Sequence, residues 1–186
     1  MKTKYSAKTA EIKNEKGWNS LDVYIFRNNS LLGKYRRNYP IFYNTFVPFV
    51  KDGKEFALYS RHYMHTRIME LPGCKDIGGE EEIDAILGKS EPRHFCPVDY
   101  FVPYNPKNGL TGKFGFVAGC VWGDDSSWKI QFLDLSEIEK GILIRNDKLG
   151  YIELPEGISL EQAIDLRDYD ADDQIIKIVN QRTFIL

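Results

Sequence analysis

The sequence predicts a mainly β protein: a β-rich α+β fold with a predominantly antiparallel sheet or sandwich and two or three short helices. Three observations carry this. The 186 residues include 11 Tyr, 11 Phe and 3 Trp, and aromatic side chains prefer pleated, half-buried surfaces. Short β-prone apolar runs recur along the chain. Turn-forming residues sit between the runs, so antiparallel neighbours are expected. No repeat or low-complexity linker divides the chain, and residues 1–186 read as a single domain.

The elements follow in order. Residues 1–19 are lysine-rich without periodicity and read as a mobile arm or a weak first strand. Leu21 to Phe26 is a strand, Asn28-Asn29-Ser30 a turn, and Leu31 to Tyr39 the returning strand. Phe42 to Val50 and Glu55 to Tyr59 form a second pair about Asp52-Gly53, where glycine supplies the positive φ of a tight hairpin turn. Pro48 donates no backbone hydrogen bond and belongs at an edge, a bulge or a strand end. His65 to Leu71 is a further strand, stopped by Pro72-Gly73. Residues 72–93 are irregular, apart from a short helix over Ile83, Ile86 and Leu87 closed by Gly88.

His94 to Tyr104 is extended. Phe114 to Trp122 and Trp128 to Leu135 are the strongest strand pair, joined through the turn-like Gly123-Asp124-Asp125-Ser126-Ser127. Ser136 starts a short helix ended by Gly141. Tyr151 to Leu154 is a short strand. Ser159, with Glu161 and Gln162 behind it, caps a helix through Leu166. Ile175 to Leu186 closes the chain as a strand.

The charge balance disfavours nucleic acid as a partner, because the net charge is -2 and no basic excess awaits a phosphate backbone. The charge is unevenly spread. Residues 1–37 hold nine Lys/Arg and three acids, whereas residues 153–173 hold eight acids and Arg167 alone. The two regions are solvated faces, or they meet electrostatically within one molecule or between copies. Cys74, Cys96 and Cys120 form no disulfide framework. No apolar leader and no apolar run long enough to span a bilayer is evident, so a cytoplasmic protein without a membrane partner is expected.

Candidate sites are modest. His62 and His65, even with His94 and Cys96, lack the close spacing of a structural metal site, so no metal is assigned. Cys96 beside Arg93 and His94 has the residue types of an activated thiol, but buried free cysteine is the commoner role. Asp124, Asp125, Trp128 and Lys129 crowd one turn, where adjacent carboxylates suit cation binding or proton transfer. The plain alternative is a turn built from Asp and Ser. Gly78-Gly79-Glu80 matches no phosphate loop, and no catalytic or cofactor fingerprint is present, so no cofactor is implied.

Lys34-Tyr35-Arg36-Arg37 interleaves aromatic and basic residues, types enriched at energetic protein interfaces. The first expectation is therefore a non-enzymatic interaction module that binds a protein partner or itself through Arg36, Arg37, Arg67, Trp128 and Lys129. The alternative is a small hydrolase or transferase drawing on His62, Arg67, Glu80, His94, Asp124, Asp125 and Lys129, which leaves room for a small-molecule substrate.

Overall fold

The structure, a computed structural model, describes residues 4–15, 17–38, 46–62, 65–80, 95–102, 111, 114–121, 124–146, 152–153, 164–165, 175–178 and 182–185. It is mainly β, with antiparallel sheets throughout the named strands. The first sheet has strands β1 (Tyr5–Ile12), β2 (Ser20–Arg27) and β3 (Ser30–Arg37), in that order. Asn28 and Asn29, both at positive φ (48° and 69°), make the β2–β3 turn. Asparagine tolerates that region, and such a turn matches the strand twist.

The second sheet runs β4 (Phe46–Lys51), β5 (Lys54–Tyr59), β6 (Arg67–Leu71) and β7 (Lys75–Gly79). Asp52 and Gly53 turn β4 into β5 with φ of 50° and 79°. Pro48 lies on β4, an edge strand, opposite Ala57. There its missing N–H costs no ladder bond. The third sheet holds β8 (Phe95–Phe101), β9 (Phe114–Val121), β10 (Asp124–Asp134) and β11 (Ile144–Asn146), and β12 (Ile152–Glu153) also pairs with β10. A last sheet contains β13 (Ile164–Asp165), β14 (Ile175–Ile178) and β15 (Arg182–Ile185).

The second sheet is covered on both faces. Successive residues of a strand point to opposite sides, and β5 reads Phe56-Ala57-Leu58-Tyr59, all buried. Phe56 and Leu58, with Ile68 of β6, pack against Tyr100, Val117 and Leu133 of the third sheet. Ala57 and Tyr59, with Met69, pack against Leu21, Val23, Ile25 and Tyr35 of the first. The result is three layers with two apolar interfaces. Double-sided burial explains why β5 shows no polar alternation.

Several expectations need correction. The two or three short helices are not borne out. Among the described residues the expected helix after Ser136 is a 3-10 turn, Ile138–Lys140, ended by Gly141 at φ 76°. Ile164 and Asp165 are not helical but pair as β13 with Ile178 and Lys177. There β-branched pairing across strands outweighs an apolar spacing that also fits a helix. The helix around Ile83 lies outside the described residues.

Residues 75–79, expected to be irregular, form β7. Their glycines hide the strand pattern but serve close backbone approach. Gly78 (φ 138°) lies against the backbone of Gly141, and Gly79 lies against the Thr66 carbonyl, so a Cβ on either would collide. The final expected strand is two strands, β14 and β15, which pair with each other.

Candidate functional site

Period-two alternation splits the aromatic-basic stretch of β3. Val23 pairs with Tyr35 and Leu21 with Arg37, whereas Tyr24 pairs with Lys34 and Asp22 with Arg36. Tyr35 and Arg37 therefore share the buried face with Leu21 and Val23, and Lys34 and Arg36 lie on the outer face. There Asp22 accepts hydrogen bonds from Lys34 Nζ at 3.1 Å and Arg36 Nε at 2.9 Å. The bonds from Arg36 and then Lys34 hold the Asp22 carboxyl below its ordinary range. Lys8 Nζ stands 5.3 Å from the Phe26 ring centroid, and Lys34 Nζ stands 5.6 Å from that of Tyr24. The outer face thus presents three cations and two half-buried rings against one acid.

The buried side of β3 leads to a second cluster. Arg37 is 1% exposed, and its Nε and Nη2 have no hydrogen-bond partner among the described residues. Its electrostatic neighbours are the Tyr100 and Tyr35 hydroxyls, and burial pulls its basicity down. Tyr100 of β8 interacts in turn with Thr66, Arg37, Glu80 and Arg145. Burial pushes the Tyr100 hydroxyl up to about 12.

Glu80 Oε2 accepts 2.6 Å bonds from the Thr66 backbone N–H and from Arg145 Nη2. Both side chains of that ion pair are essentially inaccessible, at 0% and 1%. The Glu80 backbone N–H reaches the Thr66 carbonyl, which fixes the start of the segment after β7. Arg145 on β11 pairs with Leu133, and Gln131, also buried, pairs with Val117, which pairs with Tyr100. Arg145, Gln131 and Tyr100 therefore project from one face of the third sheet towards the end of the second.

A third cluster surrounds Asp76. Arg67 grips its carboxylate through Nε and Nη2, both at 2.8 Å. The Tyr59 hydroxyl also donates to Asp76, as does the Gly78 N–H at 3.1 Å. Burial pulls the Asp76 carboxyl upward, but the bonds from Arg67 and Tyr59 outweigh it and the net shift is down. Burial and the bond to Asp76 together raise the Tyr59 hydroxyl. Every oxygen of Asp76 is engaged, which suits structural fixation better than proton transfer.

The remaining sequence candidates disperse. His62 is exposed, with its ring 3.4 Å from Asn38. Among the described candidates, His62, Arg67 and Glu80 each serve a different partner set. His94 lies outside the described residues. Asp124, Asp125, Trp128 and Lys129 belong to β10 rather than to a turn, with irregular register between Asp124 and Lys129; their side chains lie outside the described set. Among the described residues, no three His, Cys, Asp or Glu gather as a metal site, and no helix is long and apolar enough to cross a membrane.

Sequence reasoning missed the Arg37–Tyr100–Glu80–Arg145 cluster, whose members come from four separate strands or strand ends. It also missed that Cys96 and Cys120 are register partners on β8 and β9. The period-two rule alone, applied to β3, separates Arg36 from Arg37. The chain matches no protein-family model, no curated protein and no solved structure.

Proposed function

We propose that the protein is a non-enzymatic interaction module that associates with a second copy of itself. The outer face of the first sheet would bind the acid-rich segment 153–173 of the other copy. The observation that carries this reading is the set of cations and rings on one sheet face: Lys8 over Phe26, Lys34 over Tyr24, and Arg36 beside them. Aromatic rings with adjacent guanidinium and ammonium groups supply both apolar area and charge-assisted bonds to carboxylates. The eight acids of residues 153–173 supply the complementary charge within the same sequence. Opposite charges steer such encounters and make them sensitive to salt.

Sedimentation velocity tests the reading. The wild type is expected to dimerise at low ionic strength and to dissociate as salt rises. Lys8→Glu/Lys34→Glu should stay monomeric, because Arg36 still satisfies Asp22 while the face loses its positive surplus. A wild type that remains monomeric at low salt overturns the reading. So does a charge-reversed variant that dimerises as the wild type does.

A further inference from the structure

The described residues of the buried cluster carry unequal charge. Arg145 is paired with Glu80, while Arg37 faces the hydroxyls of Tyr100 and Tyr35 and no carboxylate. Among the described residues its Nε and Nη2 donors make no hydrogen bond, and the Thr66 and Tyr100 hydroxyls, which lie next to each other, complete no regular one. An unpaired buried charge is strongly disfavoured. Lysine or glutamate would answer by becoming neutral, but arginine stays protonated in proteins. The site therefore requires a negative partner.

The chemistry bounds that partner. Arg37, Thr66 and Tyr100 are 0–3% exposed, so the occupant is small. The one surplus positive charge among the described residues calls for one negative charge. A phosphate dianion would overcompensate it and meet Glu80, which already shares the Tyr100 neighbourhood. Guanidinium N–H and hydroxyl O–H groups are donors that suit a halide or a carboxylate oxygen.

We propose that Arg37, Thr66 and Tyr100 form a buried binding site for one small monovalent anion, either a halide or a single carboxylate group. The site lies on the opposite side of β3 from the proposed association face, so either reading can fail alone.

Thermal unfolding at constant ionic strength tests it, with sodium gluconate replaced stepwise by sodium bromide or, separately, by sodium formate. Gluconate is too large to enter. A ligand specific to the native state raises the folding constant nearly tenfold for each tenfold rise above its dissociation constant. The wild type is expected to show that dependence with bromide, formate or both; which of them acts identifies the source of the negative charge. Arg37→Met, which keeps apolar volume, should unfold cooperatively and lose the dependence.

An equal dependence in both proteins would mark diffuse surface effects and overturn the proposal, as would a wild type indifferent to both anions. If Arg37→Met does not fold, anomalous diffraction from bromide-soaked wild-type crystals decides. A peak in contact with Arg37 Nε or Nη2 supports the site, and no peak there together with a wild type whose unfolding is indifferent to formate rejects it.

Discussion

Two ion pairs in this protein have the same length and opposite surroundings. Glu80 and Arg145 meet at 2.6 Å with almost no access to solvent, and Lys54 and Glu139 meet at 2.6 Å with about half of each side chain exposed. Distance alone would rank them equal. Desolvation separates them: the buried pair has surrendered its hydration and depends wholly on its partners, while the exposed pair trades one good environment for another. Geometry thus identifies a contact, and burial decides what losing it costs.

The largest effect should come from breaking the buried pair on one side. Glu80→Ala removes the carboxylate that Arg145 and the Thr66 N–H share, and should cost about 3–5 kcal/mol in urea unfolding. Arg145→Met should cost a similar amount. The double variant Glu80→Gln/Arg145→Met removes both charges and keeps an acceptor for Thr66, so it should recover most of the loss. A double variant no more stable than either single would mean that the pair itself is strongly favourable, and one as unstable as the sum of the singles would mean that the two side chains act independently.

Asp76 stands between the extremes, one quarter exposed and gripped by Arg67 and Tyr59. Asp76→Asn should cost about 1.5–3 kcal/mol, the usual range for hydrogen bonds to a charged group. Its lowered carboxyl also sets a pH signature. The contribution is complete above the ordinary carboxylate range near pH 4 and is lost as pH falls through the lower folded value. Acid titration of unfolding should therefore fall more steeply for the wild type than for Asp76→Asn. At the other end, Lys54→Met should leave the urea midpoint unchanged, as exposed pairs commonly do.

Local chemistry made part of this fold legible. Asn28-Asn29 and Asp52-Gly53 announce their turns because few residues accept positive φ, and β9 and β10 announce themselves through β-branched and aromatic runs. The legibility fails where tertiary contact decides. Ile164 has a helix-compatible neighbourhood, yet its pairing with Ile178 makes it a strand. Gly78 and Gly79 read as loop residues until Gly141 and Thr66 are seen against them. The Arg37 cluster was illegible for the same reason. Residues 37, 66, 80, 100 and 145 share no local spacing, and only the stacking of three sheets brings them together.

The doubly covered sheet raises a question of registration. In a strand with one wet face, a shift by one residue is punished because apolar groups emerge into water. In β5 such a shift would merely exchange Phe56 and Leu58 with Ala57 and Tyr59 between two greasy compartments, so hydrophobicity is a poor judge of alignment there. The polar fastenings must do the judging. Tyr59 can reach Asp76, and Arg67 can lie opposite Tyr59, only in the native frame. Asp76 is then the tooth that stops the ratchet, holding a strand whose oily neighbours would tolerate more than one position.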